Sequence, residues 1–220
     1  MYVESGIDRV LRSRNEVGRP AKKKWRGSLL GGCIRAHWYS TNKVPMSEPF
    51  TPDTLRIFAM GNAVGASLED ILTEAYGDKI KFEIPVVSEE NDFSGNIDGL
   101  IDEGDKLVFL EFKTIKHNGF IRLKEPKREH AVQVGSYARF YNPEDKRPRE
   151  AWVIYIDKED YSILEFQIDP SSWGDVAQRI LNVLNFYGDR KPPRLPDAST
   201  RKWPCGWCNW RTECNGGKNG

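Results

Sequence analysis

The sequence predicts a mixed α/β fold: a central sheet with helices packed on it. Three observations lead there. Helix-like and strand-like apolar periodicities succeed one another as three helices, three strands, a helix, two strands and a helix. Two pairs of strands are separated by connections short enough for hairpins. And 220 residues suit one domain with a sizeable core, plus a small appendage.

The elements follow in order. Residues 5–17 read as a helix, and residues 28–41, which hold Cys33, as a second. Pro45, Pro49 and Pro52 mark a loop. Residues 53–77 form one helix or two, with a break expected near Gly61. Residues 80–88 alternate Ile80, Phe82, Ile84 and Val86, a strand period. Residues 94–102 and 107–114 form a hairpin, since Gly104-Asp105 suits a type II′ turn. Residues 129–141 make a helix with Ala131, Val134 and Ala138 as its buried stripe. Residues 151–157 and 161–168 form a second hairpin. A helix over 171–188 carries Val176, Ile180, Val183, Leu184 and Tyr187. Pro192, Pro193 and Pro196 lead in extended form to a cysteine-rich end. The expected organisation is a basic segment over 1–27, a core over 28–190 and a cysteine segment over 191–220.

The chemistry concentrates on the first hairpin. In Leu107-Val108-Phe109-Leu110-Glu111-Phe112-Lys113 an acid and an amine two apart share a strand face. If 103 pairs with 106, Asp98 falls opposite Glu111, about 5 Å away across the strands. Two acids that close repel unless a cation lies between them. A hard divalent ion, Mg²⁺ or Mn²⁺, resolves the conflict, because it takes oxygen ligands. Such an ion can activate water and polarise a phosphate, and Lys113 would orient the water and offset developing charge. The plain alternative is a surface ion pair. A one-residue slip of register would send one acid to the other face.

Cys205-Gly206-Trp207-Cys208 followed by Cys214 has the spacing of a thiolate metal site, and Cys33 is the fourth cysteine. Four thiolates suit zinc or an iron–sulfur cluster, and spacing does not separate the two. Either would staple the chain ends and add to folding free energy. Trp203, Trp207 and Trp210 would cover it.

These motifs together resemble the PD-(D/E)xK nuclease superfamily, and more narrowly its RecB-like exonucleases, including CRISPR-associated members and phage relatives. Gly95 to Asp98 is similar to their G-x-x-D strand, Glu111 to Lys113 to the E-x-K strand, and Gln133 to Tyr137 to the Q-x-x-x-Y helix. The resemblance covers about residues 28 to 214. It implies a restriction-endonuclease-like fold and a Mg²⁺- or Mn²⁺-dependent DNA exonuclease acting on single strands or ends. Asp98, Glu111 and the Phe112 carbonyl would be metal ligands. Gln133 and Tyr137 would hold the DNA or the attacking water. It also implies a [4Fe–4S] cluster on Cys33, Cys205, Cys208 and Cys214, in preference to zinc, and partners such as a CRISPR integrase or recombination proteins. One departure stands out. Gly65, in Met60-Gly61-Asn62-Ala63-Val64-Gly65, occupies the place where relatives often carry a metal-binding His. Glu69, one turn on, could supply the ligand. The departure also motivates an alternative: a DNA-binding or adaptor protein on the same fold with little catalysis.

Lys and Arg number 33 against 32 Asp and Glu, for a net charge of +1. No basic field covers the whole surface, so a DNA path must come from local patches. Arg122, Lys124, Lys127 and Arg128, between the E-x-K strand and the next helix, are the better candidates for phosphate contacts. The other basic run, Lys22, Lys23, Lys24 and Arg26, reads as a solvated loop. No run of about 20 apolar residues suggests a membrane span. With no targeting segment visible, an intracellular, cytoplasmic setting is the default expectation.

Overall fold

The computed structural model of the chain describes residues 2–16, 24–196 and 204–216. Its helices are α1 (Tyr2–Glu16), α2 (Ile34–Thr41), α3 (Pro52–Tyr76), α4 (His117–Phe120), α5 (Arg128–Phe140), α6 (Pro170–Tyr187) and α7 (Arg211–Cys214). Its strands are β1 (Trp25–Arg26), β2 (Ile80–Ser88), β3 (Phe93–Asp102), β4 (Leu107–Ile115), β5 (Arg149–Asp157) and β6 (Ile163–Ile168).

All six strands join one mixed sheet in the order β1-β3-β4-β5-β6, with β2 on the other edge of β3. β2–β3, β3–β4 and β5–β6 are antiparallel, while β4–β5 and β1–β3 are parallel. The first hairpin turns where the sequence expects. Glu103 donates its N–H to the Lys106 carbonyl at 3.1 Å, and Gly104 takes φ +88°, open to glycine at no steric cost. The parallel step from β4 to β5 needs a crossover, which α4 and α5 provide.

The sheet is covered on both faces. On one, α5 and α6 bury Phe93, Ile97, Leu100, Phe109, Val153 and Leu181 with their neighbours. On the other, α3 brings Leu68 and Leu72 onto Ile154, Ile156, Ile101 and Leu110. α5 lies between sheet and α6, so Ala131 through Ala138 are buried without a break. Gly135 permits this, since a Cβ there would sit 2.6 Å from Trp173 Cβ.

Three expectations are corrected. α3 is one unbroken helix, started by the Thr51 side chain and Pro52 and ended at Gly77, φ +56°. Gly61 does not break it; a Cβ there would meet Thr114 Oγ1 at 3.3 Å, so the glycine allows α3 close to β4. Residues 28–41 are not one helix: a 3₁₀ turn over Gly27–Leu29 precedes α2, and Cys33 is the residue before its first turn. The strand Trp25–Arg26 was not anticipated, being too short for periodicity. Lys22 and Lys23 lie outside the described residues, whereas Lys24 pairs with Glu89 and Arg26 with Ser40.

The cysteine segment docks on the region after α2. Trp210 is 8% exposed, stacks on Tyr39 and donates its indole N–H to the Val44 carbonyl at 2.8 Å. Asn209 and Glu48 exchange backbone and side-chain hydrogen bonds at 2.9 and 2.7 Å.

Candidate active site

β3 changes neighbours along one edge. β1 pairs with Phe93 and Ser94, and β4 pairs with residues 99–102. Residues 95–98 pair with neither, so the sheet opens there as a notch, while β2 runs along the opposite edge and misses only the pair at Glu83 and Asp98. Tyr137 of α5 fills the space beneath. A Cβ on either Gly27 or Gly95 would come within 2.4 Å of its ring.

Asp98 sits where β3 and β4 part. Continuing the observed register would place it opposite Glu111, but ladder pairing stops at Gly99 and Leu110. Instead Asp98 Oδ2 accepts the Phe112 backbone N–H at 2.9 Å. The alternation of β3 slips at the same place: Phe93, Ile97 and Leu100 all enter the core beneath α5, although 97 and 100 would face opposite ways in a regular strand. The strand is distorted around the acid, and the carboxylate takes a backbone donor that a regular ladder would have used.

Glu111 is 0% exposed. The Lys113 ammonium bonds its Oε1 and lies 3.9 Å from Asp98 Oδ2, so one amine bridges both acids. Glu111 Oε2 is buried and has no hydrogen-bond partner. Burial pushes the Glu111 carboxyl up to about 8, with Lys113 opposing and Asp98 adding. Burial also raises Asp98, against the pull of Lys113 and the Phe112 N–H. Burial works against the charge on Lys113, but Glu111 and Asp98 outweigh it and its pKa is raised. A buried carboxylate oxygen without a donor beside a second acid is a donor set suited to a hard divalent cation. The Phe112 carbonyl projects from the same strand edge as its N–H, toward Asp98.

Glu69 stands half-buried on α3, turned toward the same acids: burial raises its pKa, and Glu83, Asp70 and Asp98 add to the rise. At Gly65, no atom lies within 4 Å of an added Cβ.

Gln133 and Tyr137 are 6% and 2% exposed, so they do not form an open helix face. Gln133 Nε2 donates to the Tyr137 hydroxyl at 3.2 Å. Burial drives the Tyr137 pKa well above its ordinary value, and the Glu111 and Asp98 charges add. The pair thus looks into the acids from below. Arg122, Lys124, Lys127 and Arg128 are exposed between α4 and α5, and Arg128 Nη1 donates to the Gly31 carbonyl at 3.0 Å.

The four cysteines are half-buried, and none is in a disulfide among the described residues. All line one cavity of about 1410 Å³, and burial, then the Cys33, Cys214 and Cys205 thiols, raise the Cys208 pKa. They do not form a closed ligand cluster, because no three cysteine sulfurs lie within 4.8 Å of one another among the described residues. Tetrahedral zinc, with sulfurs at about 2.3 Å, would need them closer. Trp210, Asn209 and Thr212 hold the described part of the cysteine segment against Tyr39, Val44 and Glu48. Of the expected aromatic cover, Trp210 is buried and Trp207 is 85% exposed although both line the same cavity, and Trp203 lies outside the described residues.

Sequence reasoning missed two sets of residues. His130 lies beside Lys113; its Nδ1 is 2.8 Å from the Tyr155 hydroxyl, and burial with the Lys113 and Lys127 charges lowers its pKa to about 3. His117, Asp157 and Asp160 bring ligand atoms within 4.8 Å of one another at the far end of β4 and β5. Asp157 is 1% exposed and its Oδ2 is 2.6 Å from His117 Nδ1, while Oδ1 accepts the Glu159 N–H at 3.0 Å. No local motif signals either set, since His130 is 25 positions from Tyr155 and His117 is 40 from Asp157.

No family model matches the chain, and no curated protein matches it. Solved structures do. The crystal structure of SSO0001 matches with a TM-score of 0.57 at 14% identity, over 100% of this chain and 98% of that one. The alkaline exonuclease LHK-Exo from Laribacter hongkongensis matches with a TM-score of 0.50 at 11% identity, over 76% of this chain and 90% of that one. At these identities the likeness is one of fold, the restriction-endonuclease-like mixed sheet flanked by helices. Among the described residues no helix is long and apolar enough to cross a membrane.

Proposed function

We propose that this chain is a metal-dependent DNA nuclease, an exonuclease on single strands or DNA ends. The observation that carries the reading is the convergence of Asp98, Glu111 and Lys113, with Glu111 Oε2 buried and lacking a donor. Asp98, Glu111 and the Phe112 carbonyl would hold Mg²⁺ or Mn²⁺, with Glu69 as a further ligand. The cation, when bound, would polarise the scissile phosphate and ease deprotonation of water. Lys113, already between the two acids, would hold the attacking water and balance charge on the phosphate. Gln133 and Tyr137 would fix the carboxylates and water from the buried side. Arg122, Lys124 and Lys127, exposed after β4, would take backbone phosphates.

A cysteine-held group is the finer part of this reading. The four thiols around one cavity support it. Visible absorbance with iron after anaerobic purification is the expected result; a colourless protein with zinc, or with no metal, would remove the cluster.

The function is tested with strands labelled at the 5′ or 3′ end, in Mg²⁺ and in Mn²⁺. Glu111→Ala and Lys113→Ala should each abolish degradation. Undiminished activity in both would overturn the site assignment. The open space at Gly65 favours one further arm. If the wild type binds DNA ends without cleaving and Gly65→His cleaves, the adaptor reading replaces the enzyme.

A further inference from the structure

His130 stands one turn before Gln133 on α5, and Gln133 one turn before Tyr137, so the three share a helix face. Beneath the start of that helix, Lys113 of β4 and Tyr155 of β5 are direct neighbours in the parallel pair. The Tyr155 hydroxyl reaches up to α5. It accepts the Lys127 backbone N–H at 2.9 Å and lies 2.8 Å from His130 Nδ1.

These two contacts settle the tautomer of His130. Tyr155 is 0% exposed, and its hydroxyl has one proton to give. The Lys127 N–H can only donate, so the hydroxyl proton goes to His130 Nδ1. Were Nδ1 protonated instead, the buried hydroxyl would lack an acceptor among the described residues, a costly arrangement. The ring proton therefore sits on Nε2. Burial first, then the Lys113 and Lys127 charges, lower the His130 pKa to about 3, so the ring is neutral.

A protonated Nε2 can neither ligate a metal nor take up a proton; it can donate a hydrogen bond. It makes none among the described residues, and the ring is half-buried rather than enclosed. The Lys113 ammonium beside it is already shared by Glu111 and Asp98. A phosphate arriving there meets an amine engaged by two acids and, next to it, a neutral donor whose orientation is fixed.

We propose that His130 donates its Nε2–H to a non-bridging oxygen of the scissile phosphate beside Lys113, and that Tyr155 is the positioning residue that aims the ring. The proton stays on Nε2 throughout. The inference deepens the nuclease reading and rests on it.

The test uses the full chain and an end-labelled single strand in Mg²⁺, under single-turnover conditions at saturating protein. His130→Ala should slow cleavage by about 10- to 100-fold, the worth of one hydrogen bond to a charged group. The amide of His130→Gln reaches the place of Nε2–H and should recover most of the rate. The amide of His130→Asn reaches only the place of Nδ1 and should be as slow as the alanine variant. Tyr155→Phe should slow the wild type and add little to His130→Ala, since the two act as one unit. A His130→Ala rate equal to wild type, equal rates for the Gln and Asn variants, or a full additive effect of Tyr155→Phe overturns the proposal. A purely structural role would order the variants by melting temperature rather than by amide reach. Fluorescence anisotropy of the same strand in Ca²⁺ gives a readout that needs no cleavage, with binding weakened in the Ala and Asn variants and retained in Gln. If binding follows that order and the wild type cleaves nothing, the nuclease reading fails and the phosphate donor stands. If the wild type cleaves and all three His130 variants match it, the donor alone fails.

Discussion

Glu111 is a stability liability without metal, and Glu111→Gln should expose this. In the unfolded chain the carboxyl titrates near 4.5; in the fold burial raises it to about 8. Between those values the unfolded chain gives up a proton that the folded chain keeps. Stability from this group is therefore fully present below about pH 4.5 and is lost as pH rises toward 8. At about 1.4 kcal/mol per pH unit, the loss is on the order of 4–5 kcal/mol. For a chain of this size 1 kcal/mol moves the melting temperature by about 2–4 °C, so about 10–20 °C is at stake. Gln keeps the shape of the protonated acid and does not titrate. Melting followed by circular dichroism in EDTA, from acid to mildly alkaline pH, should show the wild type falling and Glu111→Gln remaining flatter, the gap widest near pH 8. Saturating Mn²⁺ should then raise the wild type, by about 2.7 kcal/mol at a hundredfold excess over Kd, and the variant less. Parallel curves for the two proteins across this range, or no Mn²⁺ effect on the wild type, would refute the account of Glu111 as a buried acid awaiting a cation.

Three further outcomes are expected. Gly95→Ala should destabilise by about 1–3 kcal/mol in denaturant titration, because its Cβ would fall 2.4 Å from the Tyr137 ring; an unchanged midpoint would mean that Tyr137 does not plug the notch. His37 is buried, accepts the Arg26 N–H at 2.9 Å, and is lowered to about 3 by burial first and Arg26 second. Its contribution is present above about pH 6.5 and lost as pH falls toward 3, so His37→Gln should show a weaker fall of stability over that interval by tryptophan fluorescence. Trp210→Ala should cost about 3–5 kcal/mol, since the ring is buried against Tyr39 and bonds Val44; a change under about 1 kcal/mol would mean that the cysteine segment adds little to the fold.

The elements legible in the sequence were those with a repeating local signal. The β3–β4 hairpin follows from its apolar alternation and from a glycine that tolerates φ +88°. α5 and α6 follow from their apolar stripes. β1 was not legible, because two residues carry no period and its pairing with Phe93 is far away in sequence. The break expected at Gly61 did not occur, because helix propensity is a small term beside the packing of α3 on the sheet.

At the site, the hairpin's own turn and spacing determined that Asp98, Glu111 and Lys113 would be neighbours, since strand geometry propagates from a tight loop residue by residue. Only the tertiary structure decided how they meet. β1 and β4 share one edge of β3 and leave residues 95–98 unpaired, so Asp98 takes the Phe112 N–H rather than a place in the ladder. Burial by α5 makes Glu111 a proton-holding acid, and it turns Gln133 and Tyr137 inward. The position of Glu83 beside Asp98 is likewise a property of the assembled sheet. Local periodicity sets which face a residue takes, whereas desolvation and cross-strand neighbours depend on segments that meet only in the folded chain.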